Sequence, residues 1–369
     1  MIMGFLNNKK IRVLVVDDSI LIRQVLSDIV SSDPELELAG TASDGQACLE
    51  KVRQLAPDVI TLDIEMPRMD GITCLRRLMK EYPLPVLMIS SISYEGGFKT
   101  LQALDAGAFD YIQKPRAQSS GSLNRVREEI LEKIKSAAES GILRKQKVDL
   151  SPPTNSEPLV QGALPPKLVG VKSFSDYVIA IGISTGGPPC ITKILETLPP
   201  SSPPLLIVQH MPKEFTKAMA ERNDKLSRLT VKEAETGDMI KPGMAFIAPG
   251  HSHILVSLKK GFPAIELSQK GTVSGHQPSA DALFESVAAT YGPKSIGVIM
   301  TGMGRDGATH LKTMHEKGAH TIAQDEASCV VFGMPRAAIR ENAADEILSL
   351  DKIVLRLKQV ADRGSASFR

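Results

Sequence analysis

Short runs of β-branched and aliphatic residues recur along the first third of the chain: "IRVLVVD", "LELAGTAS", "PDVITLD", "LPVLMISS" and "DYIQKP". Between them lie stretches whose apolar positions keep the three-to-four spacing of a helix, the last running from Leu123 to a break near Gly141. Strands that alternate with helices pair in parallel, because parallel neighbours need a crossover. Five such units over residues 10–138 therefore predict a parallel sheet with helices on both faces. Residues 139–174, rich in Pro, Ser and polar side chains without a sustained period, read as a linker. From 175 to 369 a second series begins, "YVIAIGIS", "PLLIVQH", "GMAFIAPG", "SIGVIMTG" and "HTIAQD", again with helical patterns between most strands. Within it "HILVSL" and "PAIELSQ" flank a "KKG" turn as an antiparallel hairpin. The expected fold is two α/β domains, the second doubly wound and mostly parallel, with no short internal repeat.

Length agrees, since 369 residues suit two independently cored domains. A hydrophobic fraction of 42% and a formal net charge of +2 exclude a disordered chain and a general polyanion binder. The four cysteines, Cys48, Cys74, Cys190 and Cys329, show no CxxC spacing, which argues against a zinc site or a disulfide framework and fits a reducing compartment. No stretch reaches the roughly 20 apolar residues of a membrane helix. The expectation is a soluble, cytoplasmic chain that neither inserts into a membrane nor binds nucleic acid, and nothing demands more than a monomer.

Chemistry enters at the strand ends. "VLVVDDS" puts Asp17 and Asp18 at the end of the first strand, and "VITLDIEMP" puts Asp63 at the same edge, where open α/β sheets bind ligands. Converging carboxylates suit a hard cation such as Mg²⁺, although a single strand-end acid can equally cap a helix. With Ser90 ending "VLMIS" and Lys114 in "DYIQKP", the ordered set resembles the receiver domain of bacterial response regulators, a flavodoxin-like fold. That resemblance implies Asp63 as phosphoacceptor. It implies Mg²⁺ on Asp18, Asp63 and the Glu65 backbone carbonyl, with Asp17 assisting through water. Ser90 and Lys114 would meet the phosphoryl oxygens, and Tyr111 would be the aromatic residue that reorients.

In the second domain, "GISTG" (182–186) fits the loose GxSxG pattern of a nucleophile elbow. A serine there can also cap the next helix, and a glycine turn can cradle a phosphate, although "GISTGG" lacks GxGxxG spacing. A serine nucleophile needs a base, and the base an orienting acid. Of seven histidines, His210 alone directly follows a long apolar strand, "LLIVQH". His251, His253 and His276, in loop-like contexts, are weaker alternatives. His310, His315 and His320 lie in or just after a helical pattern, where solvation or packing accounts for them. "SIGVIMTGMGRDGA" ends a strand in a glycine-rich loop bearing Asp306, which alone reads as a helix N-cap. The order Ser184, His210, Asp306 is not the Ser, acid, His order of the α/β-hydrolases.

"GISTGG", "VQHMP", "IAPGHSH", "HQPSADALFESVA", "TGMGRDGA" and "AQDEASCVVFGMPRAA", behind a receiver-like domain, resemble the chemotaxis protein-glutamate methylesterases of the CheB family. The resemblance implies Ser184 as nucleophile, His210 as base, Asp306 as acid and the Met303 amide as oxyanion donor, with Thr185 beside the nucleophile. Ile183 stands where alanine is frequent, and Arg305 and His251 occupy variable positions, departures that bear on substrate preference. The implied activity is phosphorylation-activated hydrolysis of glutamate γ-methyl esters on methyl-accepting chemoreceptors, with deamidation of receptor glutamines. A chemotaxis sensor histidine kinase would donate the phosphoryl group, and the catalytic domain would need no cofactor. The linker is short enough for the receiver to limit access to the catalytic edge until Asp63 is phosphorylated. Two rivals make different demands: a regulator whose output domain only binds a partner, and a stand-alone hydrolase of small esters or amides. A DNA-binding output is disfavoured by the lack of a basic recognition helix.

Overall fold

The computed structural model describes residues 9–91, 93–114, 120–148 and 177–365. The chain divides into two compact units, Met1–Ser156 and Glu157–Arg369. The division falls within the 139–174 stretch, whose residues 139–148 are helical and whose residues 149–174 lie outside the described residues.

The first unit is built from β1 (Ile11–Val16), α1 (Ile20–Ser31), β2 (Leu36–Ala42), α2 (Gly45–Leu55), β3 (Val59–Asp63), α3 (Gly71–Glu81), β4 (Val86–Ser90), α4 (Tyr94–Asp105), β5 (Asp110–Gln113) and α5 (Ser120–Val148). Its five strands pair in the order β2-β1-β3-β4-β5, all parallel. The central strands β3 and β4 are buried along their whole length, as helices on both faces require. Helices α1 to α4 each open on a side-chain cap, from Ser19, Asp44, Asp70 and Ser93, so these four strand-to-helix turns are closed locally. Helix α5 outruns its expected end, passing through Gly141 to Val148. One interior glycine costs only about 1 kcal/mol against alanine, and "ILRKQK" after it consists mostly of good helix formers.

The second unit contains β6 (Val178–Ile183), α6 (Gly187–Thr197), β7 (Leu205–Gln209), α7 (Lys213–Leu226), β8 (Thr230–Glu233), β9 (Met244–Ile247), β10 (His253–Lys259), β11 (Phe262–Ser268), α8 (Ala280–Thr290), β12 (Ser295–Ile299), α9 (Ala308–Glu316), β13 (His320–Gln324), α10 (Met334–Arg340), β14 (Glu346–Leu348) and α11 (Leu350–Ser365). Its main sheet is seven-stranded, β14-β13-β12-β6-β7-β9-β8, with every neighbouring pair parallel. The antiparallel hairpin β10–β11 is a separate two-stranded sheet, turning at Lys260 and Gly261, both at positive φ as a tight two-residue turn requires. The edge strands β8 and β14, "TVKE" and "EIL", are short and carry no apolar run, which hides them from a hydrophobicity pattern. From β6 the chain builds outward through β7, then returns to add β12, β13 and β14 on the other side. The boundary of β6 and β12 is therefore a topological switch point, with a crevice at the C-terminal strand ends.

Candidate active site

Strand register brings three loops to that crevice. Ile183 pairs with Gln209 and Ile299 with Gly182, so the residues leaving β6, β7 and β12 emerge together. His210 N–H donates to the Ile183 carbonyl at 3.2 Å and Ser184 N–H to the Thr301 carbonyl at 2.9 Å. The loop after β12 runs so near the serine that a Cβ on Gly302 would lie 2.7 Å from Ser184 Cβ. Ser184 does not cap α6, whose N-cap is Gly186, and its side chain is half-buried at the crevice. Thr185 is buried, and its carbonyl accepts from Thr301 Oγ1 at 2.9 Å. Next to Gly302, the Met303 N–H donates no hydrogen bond among the described residues.

Asp306 does not cap the helix that follows it, because the N-cap of α9 is Gly307. Instead its carboxylate reaches the first turn of α8. Oδ1 accepts from Ser279 Oγ at 2.7 Å and Asp281 N at 3.2 Å, and Oδ2 accepts from Ala280 N at 2.7 Å. The remaining partner is His210, with Nε2 2.7 Å from Oδ2. Burial alone would raise the Asp306 pKa. The hydrogen bond and charge of His210, with the donors Ser279 and Ala280, outweigh it and hold the group at about 2. An ionised Asp306 can only accept, so Nε2 carries a proton; in the neutral imidazole the lone pair is then on Nδ1. Nδ1 is buried and has no hydrogen-bond partner among the described residues.

The other histidines divide by geometry. His276 stacks on His210, ring centroids 3.9 Å apart and planes 4° from parallel. His253 is 2% exposed and bridges two backbones, Nδ1 accepting from Ser279 N at 3.2 Å and Nε2 meeting the Gly271 carbonyl at 2.7 Å. His310 binds Asp281, His315 pairs with Asp345, and His320 with Glu346 and Asp345. His251 is exposed. Ser279 is the supporting residue the sequence reading missed; as an N-cap serine before "ADALFESV" it was detectable as a cap, but not as a partner of Asp306.

In the first unit, carboxylate oxygens of Asp17, Asp18 and Asp63 lie within 4.8 Å of one another. Lys114 Nζ sits 2.7 Å from Asp63 and 3.3 Å from Asp17. Burial raises both acids above their ordinary range, Asp63 to about 6, against the lowering effect of Lys114. One ammonium does not offset this cluster, and Asp17 Oδ2 is buried without a hydrogen bond among the described residues. The donor set fits a small divalent cation. Ser90 Oγ is fully buried and accepts from Thr100 Oγ1 of α4 at 2.8 Å. Glu65 pairs through its side chain with Lys99, and both line a cavity with Asp63, Ser90 and Lys114. The Tyr111 ring is buried, with Lys133 Nζ 5.0 Å from its centroid.

Residues 179–357 match the CheB methylesterase family and residues 13–122 the response regulator receiver domain. A protein-glutamate methylesterase/protein-glutamine glutaminase 2 of Pseudomonas aeruginosa is 44% identical over 97% of this chain and 99% of its own. The chain belongs to the CheB methylesterase family. A family member in Nitrosomonas europaea is 45% identical over 95% of this chain and 96% of its own, and one in Syntrophotalea carbinolica 45% over 95% and 97%. Both bear the name protein-glutamate methylesterase/protein-glutamine glutaminase. The first unit is a receiver domain and the second a CheB methylesterase domain. No described helix is long and apolar enough to cross a membrane.

Proposed function

We propose that Ser184, His210 and Asp306 form the acyl-transfer apparatus of a protein-glutamate methylesterase and protein-glutamine glutaminase acting on methyl-accepting chemoreceptors. The observation that carries the reading is the bond of His210 Nε2 to an ionised Asp306, which leaves Nδ1 without a hydrogen-bond partner among the described residues, at the end of the strand beside that of Ser184. The relatives' names supply the substrate class.

In the mechanism, Nδ1 takes the Ser184 Oγ proton as Oγ bonds to the carbonyl carbon of a glutamate γ-methyl ester. The imidazolium so formed keeps its Nε2–H on Asp306, which stabilises the charge without taking the proton. The Met303 N–H, with the first turn of α6 behind the serine, faces the negative charge on the carbonyl oxygen. One such donor is commonly worth about 10²–10³ in rate. As the tetrahedral intermediate collapses, Nδ1–H protonates the ester oxygen, which leaves as methanol, or the amide nitrogen of a glutamine substrate, which leaves as ammonia. Nδ1 then takes a proton from water as the water oxygen bonds to the acyl carbon, and returns it to Ser184 Oγ as the C–Oγ bond breaks and glutamate is released.

Control comes through Asp63 as phosphoacceptor, with a chemotaxis sensor histidine kinase as donor. Asp17, Asp18, Asp63 and the Glu65 backbone carbonyl would hold Mg²⁺, which when bound offsets charge on the phosphoryl group. Ser90 and Lys114 bind the phosphoryl oxygens, Tyr111 follows the switch, and the phosphorylated form favours the active arrangement of the chain. Labelling the full chain with a fluorophosphonate tests the core of this. Modification is expected at Ser184 in the wild type and nowhere in the Ser184→Ala protein; a label on another residue, or an unlabelled wild type, would reject it.

A further inference from the structure

We infer that Gln209 is a positioning residue that sets the spacing of nucleophile and base, a reading that rests on the proposed roles of Ser184 and His210. Gln209 ends β7 and is 2% exposed. Its Nε2 donates to the Ser184 carbonyl at 3.0 Å and to the His210 carbonyl at 3.2 Å. A single amide nitrogen thus ties the backbone of the residue carrying the nucleophile to that of the residue carrying the base. It does so where the sheet runs out. The last β6–β7 rung is His210 N–H to the Ile183 carbonyl, and beyond it the side chain of Gln209 supplies the cross-link.

Two further observations show that this amide is placed at some cost. Gln209 Oε1 is buried and accepts no hydrogen bond among the described residues. Leaving a buried acceptor unpaired costs about 1–3 kcal/mol. Flipping the amide would not help, because Oε1 would then face two carbonyl oxygens, which also only accept. Room for the amide comes from the opposite loop: a Cβ on Gly187 would fall 2.0 Å from Gln209 Oε1. The second glycine of "STGG" and the glutamine of "QHMP" are therefore one interlocked feature, joining the loop of Ser184 to the strand of His210.

The chemistry makes that spacing consequential. Proton transfer from Oγ to Nδ1 depends on a short, aligned approach, and a misplacement of about 1 Å can cost about 10²-fold in rate. Ser184 keeps a second bond to its carbonyl, from Gly187 N–H at 2.8 Å, so the turn retains support when Gln209 is changed. Gln209→Met keeps length and volume but removes both donations. Gln209→Glu keeps the shape and can donate only while protonated, which burial against two carbonyl oxygens favours.

The test uses the full chain, with p-nitrophenyl acetate as a chromogenic ester and a fluorophosphonate as a probe of Ser184. For Gln209→Met, kcat is expected to fall about 10²-fold with KM within about threefold and the melting temperature close to wild type. Gln209→Glu is expected to show an added ionisation on the alkaline side of its kcat–pH profile, absent from wild type, as its carboxyl loses the donated proton. A folded Gln209→Met enzyme with wild-type kcat overturns the inference. Should that variant not fold, a Gln209→Glu profile parallel to wild type overturns it instead. A wild-type protein that the fluorophosphonate does not label at Ser184 overturns the underlying triad reading, an outcome distinct from both.

Discussion

Asp306 holds His210 by Nε2 at 2.7 Å, and the same carboxylate takes the Ala280 N–H and the Ser279 hydroxyl, each at 2.7 Å. Acid, imidazole and the first turn of α8 are thus one hydrogen-bonded unit. The helix N-terminus, rich in unpaired N–H groups, favours the charged carboxylate, and that charge fixes the imidazole tautomer.

Replacing Asp306 with Asn removes the charge but keeps the shape. Nε2–H is no longer enforced, so the ring can present the wrong tautomer to Ser184. We expect kcat for ester hydrolysis to fall about 10³–10⁴-fold with KM little changed. Steady-state kinetics of the purified full chain check this.

The same group makes a pH prediction for stability. Its pKa in the fold, about 2, lies below its ordinary 3.8. The folded state therefore binds this proton less readily than the unfolded one. The resulting stability, about 2 kcal/mol, is fully present above about pH 5 and is lost as pH falls towards 2. The gap in unfolding free energy between wild type and Asp306→Asn should shrink by about half between pH 6 and pH 3. A gap that stays constant over that range in urea titrations contradicts the assigned ionisation.

Ser279→Ala removes both the bond to Asp306 and the cap on Ala282 N. Loss of the cap costs about 1 kcal/mol, or roughly 2–4 °C in Tm. Loss of the hydroxyl from a charged carboxylate lowers kcat roughly tenfold. Calorimetry and kinetics on one preparation separate the two effects.

Parts of this arrangement were open to inspection in the sequence and parts were not. "YVIAIGIS", "PLLIVQH" and "SIGVIMTG" are buried parallel strands with apolar runs that cannot be mistaken, and their ends carry Ser184, His210 and the loop of Asp306. What Asp306 binds depends on a contact 26 residues away in sequence, at Ala280, which no local pattern encodes. Gln209 is similarly hidden, because as the last residue of a strand it reads only as a polar end. The strands "TVKE" and "EIL" form because neighbours pair with them at the sheet edges, a tertiary cause without a local hydrophobic signal.

The His276 ring lies flat on His210. Stacking of this kind is worth about 0.5–1.5 kcal/mol, so His276→Ala should reduce kcat roughly 2–10-fold, and His276→Phe, which keeps a flat face, should recover most of it. Equal losses in the two variants would mean that the ring plane is not what matters.

In the receiver, Asp63→Asn leaves Lys114 without its carboxylate partner at 2.7 Å and removes the proposed phosphoacceptor. The expected protein takes up no phosphoryl group from a small acyl phosphate with Mg²⁺. It keeps basal esterase activity but gains none on adding the donor. Phosphate incorporation at another residue, seen by mass spectrometry, would move the acceptor assignment.

The most direct test of the whole account is methanol release from membranes bearing methyl-labelled chemoreceptors, comparing wild type with Ser184→Ala, each with and without an acyl phosphate and Mg²⁺. Release is expected to require Ser184 and to rise when the donor is present. No release above the Ser184→Ala protein in either condition, while Asp63 still takes up phosphate, would contradict it.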